Sequence, residues 1–169
     1  MKEVYVNGAA LRKAASKGMD AFVKVFVDAI NKAIGGNLNA ETMAELNADQ
    51  VTLLAWNILH EELMDGGFVQ LIHNGYGGFI FLNPFSKAMT LWQVDGLAPL
   101  VNKAHKLYSK YKKDIEAECS DEEFMALYER FPMFDDLDDR FVENEERWTA
   151  MVAHYLDDHI DRFATIVAD

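Results

Sequence analysis

Carboxylates dominate the side chains that could carry chemistry in this chain. Of its 28 Asp and Glu residues, 18 fall within residues 114–169. The densest part comprises Asp135, Asp136, Asp138, Asp139, Glu143, Glu145, Glu146, Asp157, Asp158 and Asp161. Paired carboxylates can act as general acid and base, but only where a cleft drives two of them apart in pKa. No spacing here singles out such a pair. His60-Glu61-Glu62 lacks the second histidine of a zinc-protease helix, because Met64 stands in its place. His154 and Asp158, with His159 and Asp161 nearby, are donor types for a metal, yet solvated pairs on a helix have the same spacing. Cys119 has Glu118 and Asp121 for neighbours, which disfavours a reactive thiolate. Gly75-Tyr76-Gly77-Gly78 is not followed by Lys-Ser or Lys-Thr, so it is no phosphate loop. The residues point to a non-enzymatic chain with no catalytic set, cofactor or metal, and with an acidic interaction surface.

The charge is segregated. Residues 1–113 hold 12 Lys+Arg and 10 Asp+Glu, a net +2, whereas residues 114–169 hold 4 and 18, a net −14. The total of −12 argues against direct nucleic-acid binding and against docking on an anionic membrane. The acids do not form a disordered tail. Phe124, Leu127, Tyr128, Phe131, Phe134, Leu137, Phe141, Trp148, Met151, Val152, Tyr155 and Ile160 recur among them at helical steps. That pattern predicts ordered helices with an apolar stripe inward and the carboxylates outward.

The elements that hold these side chains read as helices throughout. With 169 residues, half of them hydrophobic, the chain suits one all-α domain, a multi-helix bundle over 1–169 with an acidic last third. One cysteine excludes a disulfide scaffold. A helical run from about Ala9 to Ile34 stops at Gly35-Gly36. Asn47 with Gln50, and Ser120 with Glu123, resemble capping boxes that open helices. Asp65-Gly66-Gly67 ends the first of these, and a short helix follows from Phe68 to Asn74. Phe79-Ile80-Phe81, within Tyr76–Leu82, is the one strand-like stretch. Pro84 and Ser86 open a further helix through Trp92, and a long one runs from Asp95 or Gly96 to about Cys119. Its outer face bears Lys103, Lys106, Lys110, Lys112 and Lys113, which reads as a solvated basic stripe. The longest uncharged stretch, Gly66–Ser86, contains five glycines and Pro84, so it is not a membrane span. The start, Met1-Lys2-Glu3-Val4, has no signal-peptide apolar run, and the expected compartment is the reducing cytoplasm.

The stretch Glu62-Leu63-Met64-Asp65-Gly66-Gly67-Phe68-Val69-Gln70-Leu71-Ile72-His73-Asn74 resembles the mark of a bacterial DNA-mimic protein family. That mark is a glutamate, an Asn-Asn-Gly-Gly-Phe turn, a glutamine two residues on and an asparagine four beyond. Glu62, Gly66, Gly67, Phe68, Gln70 and Asn74 match it, while Met64-Asp65 replaces Asn-Asn. The resemblance covers roughly residues 50–115. It implies a small, acidic, all-helical homodimer that occupies the DNA-binding face of a basic helix-turn-helix transcription regulator. On the residues alone, Gly66-Gly67 permits a sharp reversal, Phe68 enters the core, and Gln70 and Asn74 satisfy the turn's polar groups. Fourteen net charges would match about 24 Å of duplex at one charge per ~1.7 Å. Two rival readings stand beside the mimic: a small-ligand or enzyme pocket built on Glu61, Glu62, Gln70, His73 and Asn74, and a structural or assembly partner.

Overall fold

The structure is a computed structural model that describes residues 1–168. In chain order the elements are β1 (Tyr5–Asn7), α1 (Gly8–Lys17), α2 (Met19–Ala33), α3 (Ala40–Met43), α4 (Ala48–Asp65), α5 (Gly67–His73) and α6 (Gly77–Phe81). Then follow α7 (Phe85–Leu91), α8 (Leu97–Glu116), α9 (Asp121–Arg130), a 3-10 turn (Pro132–Phe134), α10 (Asp135–Asp158), α11 (Ile160–Phe163) and β2 (Thr165–Val167). The fold is all-α, as its periodicity predicts. Both expected capping boxes form. The Asn47 side chain accepts from the Gln50 N–H at 2.8 Å while Gln50 accepts from the Asn47 N–H at 3.0 Å. Ser120 and Glu123 do the same at the start of α9. No helix among the described residues is long and apolar enough to cross a membrane.

Backbone contacts group Met1–Asn57 with Arg147–Asp169 in one unit and Ile58–Glu146 in a second. In the first unit, β1 and β2 pair in parallel, with Val6 opposite Ile166. Phe26, Val27, Ile30, Leu53, Trp56, Trp148, Val152 and Phe163 are buried. The expected single run from Ala9 to Ile34 is two helices, because Gly18 takes φ +136°, outside the range of a helix. Asn47 and Gln50 have a second task here. Their amide N–H groups donate to the Arg162 and Phe163 carbonyls at 2.7 and 3.0 Å, which ties the end of the chain to the start of α4.

In the second unit α5, α6 and α7 pack on α8. Phe68, Leu71, Ile72, Ile80, Met89, Leu97, Ala104, Ile115, Phe134 and Phe141 are fully or almost fully buried. The strand-like reading of Phe79-Ile80-Phe81 is corrected: Gly77–Phe81 is helical. A short apolar run has no periodicity to separate strand from buried helix. Tertiary packing decides it. Gly77 lies so close under Tyr108 that a Cβ there would fall 2.3 Å from the ring. Phe81 stacks on His105 with ring centroids 5.5 Å apart and packs at a tilt against Tyr108 at 5.0 Å.

Candidate functional site: an acidic helix and the turn it holds

The helical pattern predicts that ten carboxylates face outward. Asp135, Asp136, Asp139, Glu143 and Glu146 on the first half of α10 are exposed, and so are Asp157, Asp158 and Asp161 of the other unit. Asp138 and Glu145 are not. Helical spacing accounts for both: each lies four residues after one buried aromatic and three before the next, Asp138 between Phe134 and Phe141, Glu145 between Phe141 and Trp148. They therefore share the inward face. This signal is present in the sequence, but runs of consecutive acids obscure it.

Asp138 caps the turn that contains the Gly-Gly-Phe motif. Its Oδ1 accepts the Phe68 N–H at 2.8 Å, one of the donors left unpaired at the start of α5. Gly67, at φ +76°, lies directly beneath the carboxylate, and a Cβ there would sit 2.3 Å from Asp138 Oδ2. Glycine is thus required twice, by the backbone and by the close approach. The Tyr128 hydroxyl donates to the Gly66 carbonyl at 2.9 Å. Phe68 is fully buried between Phe81 and Phe134, each with ring centroids 6.3 Å away. Burial pushes the Asp138 carboxyl up to about 7; Asp135 and Asp139 add to the rise and the Phe68 N–H opposes it. Burial also raises the Tyr128 hydroxyl, followed by the charges of Asp138, Asp65 and Glu62.

The amides of the motif bind a carboxylate rather than the turn's backbone. Gln70 Nε2 donates to Glu62 at 2.7 Å and to Asp65 at 2.9 Å, and Asn74 Nδ2 meets both Glu62 oxygens at 3.2 Å. Gly66 leaves room for Gln70, whose Oε1 is 2.0 Å from where a Gly66 Cβ would stand. Elsewhere in this unit, His60 Nε2 meets Glu145 at 2.6 Å, with the His60 ring edge-on to Phe141.

Three of the five residues of the expected pocket, Gln70, His73 and Asn74, line a polar cleft of about 370 Å³ together with Asp65. Cys119, Ser120, Asp121 and Phe124 complete it from the start of α9, far along the chain, where no local spacing could have announced them. Glu62 is tied to the two amides, and Glu61 is exposed and not among the lining residues. His73 Nδ1 donates to the Ile115 carbonyl at 2.8 Å, and its ring lies 4.8 Å from that of Phe124. In the other unit, His154 and Asp157 lie at a mainly apolar groove of about 350 Å³ lined by Met19, Phe22 and Ala153. His159 Nδ1 is bonded to the Tyr155 carbonyl at 2.7 Å.

Known proteins resemble this chain in sequence. A family model described as DMP19-like protein matches residues 44–159. The DNA mimic protein DMP19 of Neisseria meningitidis serogroup B is 32% identical over 127 residues, which cover 75% of this chain and 77% of that protein. The matched span contains the Glu62–Asn74 motif and the whole of α10.

Proposed function

The chain belongs to the DMP19-like protein family, and on that premise we propose that it is a non-enzymatic DNA mimic. Its partner is a basic DNA-binding protein of the helix-turn-helix type, and its binding surface is the exposed carboxylate face of α10. One observation carries this reading. Asp135, Asp136, Asp139, Glu143 and Glu146 are exposed along 11 residue steps of one helix. At 1.5 Å per residue they spread over about 17 Å with a mean axial step of ~4.1 Å between charges, of the same order as the phosphate spacing of DNA. A single strand of B-DNA carries one charge per ~3.4 Å. Side chains on a helix hold this spacing without the ordering cost of a flexible acidic tail. A twofold homodimer would present the stripe twice, in keeping with the symmetry of dimeric helix-turn-helix proteins. Asp157, Asp158 and Asp161 extend the acidic character, while Asp138 and Glu145 serve the fold.

The test is capture from native lysate at about 50 mM and about 500 mM salt, a range over which phosphate-like contacts weaken strongly. The expected result is a DNA-binding protein retained at low salt, lost at high salt and released by duplex DNA. Retention that neither duplex nor salt alters overturns the reading. The cleft beside Gln70, His73 and Asn74 favours a second reading, a small-ligand site in the same unit. A thermal-shift screen with metabolites and metals tests it, and stabilisation that Gln70→Ala removes would support it.

A further inference from the structure

The second unit carries a basic stripe as well as an acidic one. Lys103, Lys106, Lys110 and Lys113 recur on α8 at steps of three, four and three. At about 100° per residue they fall within an arc of roughly 80° and span about 15 Å. All four are exposed, and none is within ion-pair distance of a carboxylate among the described residues. Lys110 leans over the Tyr111 ring at 5.2 Å. On α10, Asp135, Asp139, Glu143 and Glu146 recur at steps of four, four and three. They also occupy an arc of roughly 80° and span about 17 Å. Val142, 52% exposed, lies alongside them. Four cations and four anions thus stand along two helices over nearly equal lengths, and they do not pair within one copy.

We propose that the α8 lysine stripe of one copy docks on the α10 acidic stripe of a second copy of this chain. Charge complementarity and matched length select this occupant. The contact joins two different patches, so it is head-to-tail and repeats from copy to copy. The net charge of −12 opposes it except where the two stripes lie in register. Exposed ion pairs are individually weak, so the association needs high protein concentration and disappears as salt shortens the screening length. One consequence rests on the function proposed above: a docked copy covers the carboxylates that the basic partner needs, so α8 is a built-in competitor for them.

Sedimentation velocity of the full chain at about 50 mM and about 500 mM salt tests this. The two probes are K103E/K106E/K110E/K113E and D135K/D139K/E143K/E146K, each checked for native helicity. Wild type is expected to sediment as a larger species at low salt than at high salt. Each variant alone should lose that difference, and an equal mixture of the two should regain it. Neutral K103Q/K106Q/K110Q/K113Q gives the same reading should the full reversal fail to fold. The proposal is overturned if either variant keeps the wild-type salt dependence, or if the folded mixture fails to regain it. It is also overturned if the lysines shift a labelled DNA duplex while leaving sedimentation unchanged. No DNA-binding protein takes part in the sedimentation experiment, so its failure is distinct from failure of the mimic reading.

Discussion

The two units fasten distant chain segments to a helix start by different chemistry. In the first, Asn47 and Gln50 cap α4 and hold the Arg162 and Phe163 carbonyls with neutral amides. In the second, Asp138 holds the start of α5 with a half-buried, ionisable carboxylate close to Asp135 and Asp139. Charge follows the same division. Ile58–Glu146 carries 18 Asp+Glu and 8 Lys+Arg, a net −10, whereas the remaining residues carry 10 and 8, a net −2. The unit that concentrates negative charge has placed one acid where ionisation is penalised. Amides do not titrate near neutrality, so pH acts on the second fastening and leaves the first untouched.

The largest effect expected is that of Asp138→Asn. The folded carboxyl lies at about 7, above its ordinary 3.8. This group's contribution is therefore fully present below pH about 4 and is lost as pH rises through about 7. Asparagine removes that slope and still accepts the Phe68 N–H. Urea unfolding should show the variant more stable than wild type at pH 8, by about 2–4 kcal/mol, with the gap closing by pH 4. Equal slopes in both proteins would place the titration elsewhere. Gly67→Ala comes next, at about 3 kcal/mol of destabilisation, from positive φ and contact with the Asp138 carboxylate together. Gln50→Ala should cost about 2 kcal/mol by leaving the Phe163 carbonyl unpaired, with no dependence on pH between 5 and 8. A pH-dependent loss there would erase the distinction between the two fastenings. Ser120→Ala, a cap on the surface of the second unit, should cost only about 1 kcal/mol in the same assay.

Much of the fold could be read locally. The two capping boxes, the Gly66-Gly67 break and the long helix over α8 rest on contacts within a few residues, and each forms where the spacing places it. The β1–β2 pairing is the opposite case. Tyr5 and Thr165 are joined across nearly the whole chain, and three-residue strands leave no period to detect. Phe79-Ile80-Phe81 has strand-forming residues, but the fit of Gly77 under Tyr108 makes it helical. At the site, exposure of the carboxylates was legible for eight of the ten candidates. Asp138 and Glu145 turn inward because they share a helix face with Phe134, Phe141 and Trp148. Their particular partners, Phe68 and His60, are 70 and 85 residues away and could not be read from spacing.

The most direct test of the central claim is a binding titration against the DNA-binding protein recovered by capture. Wild type is compared with D135K/D136K/D139K/E143K, a reversal that spares Asp138 so that the Gly67-Phe68 turn stays capped. The account predicts a folded variant whose affinity falls by at least about 100-fold at 50 mM salt, through lost complementary charge. A folded variant that binds as wild type does would contradict it, and would return the carboxylates of α10 to the role of a solvated surface.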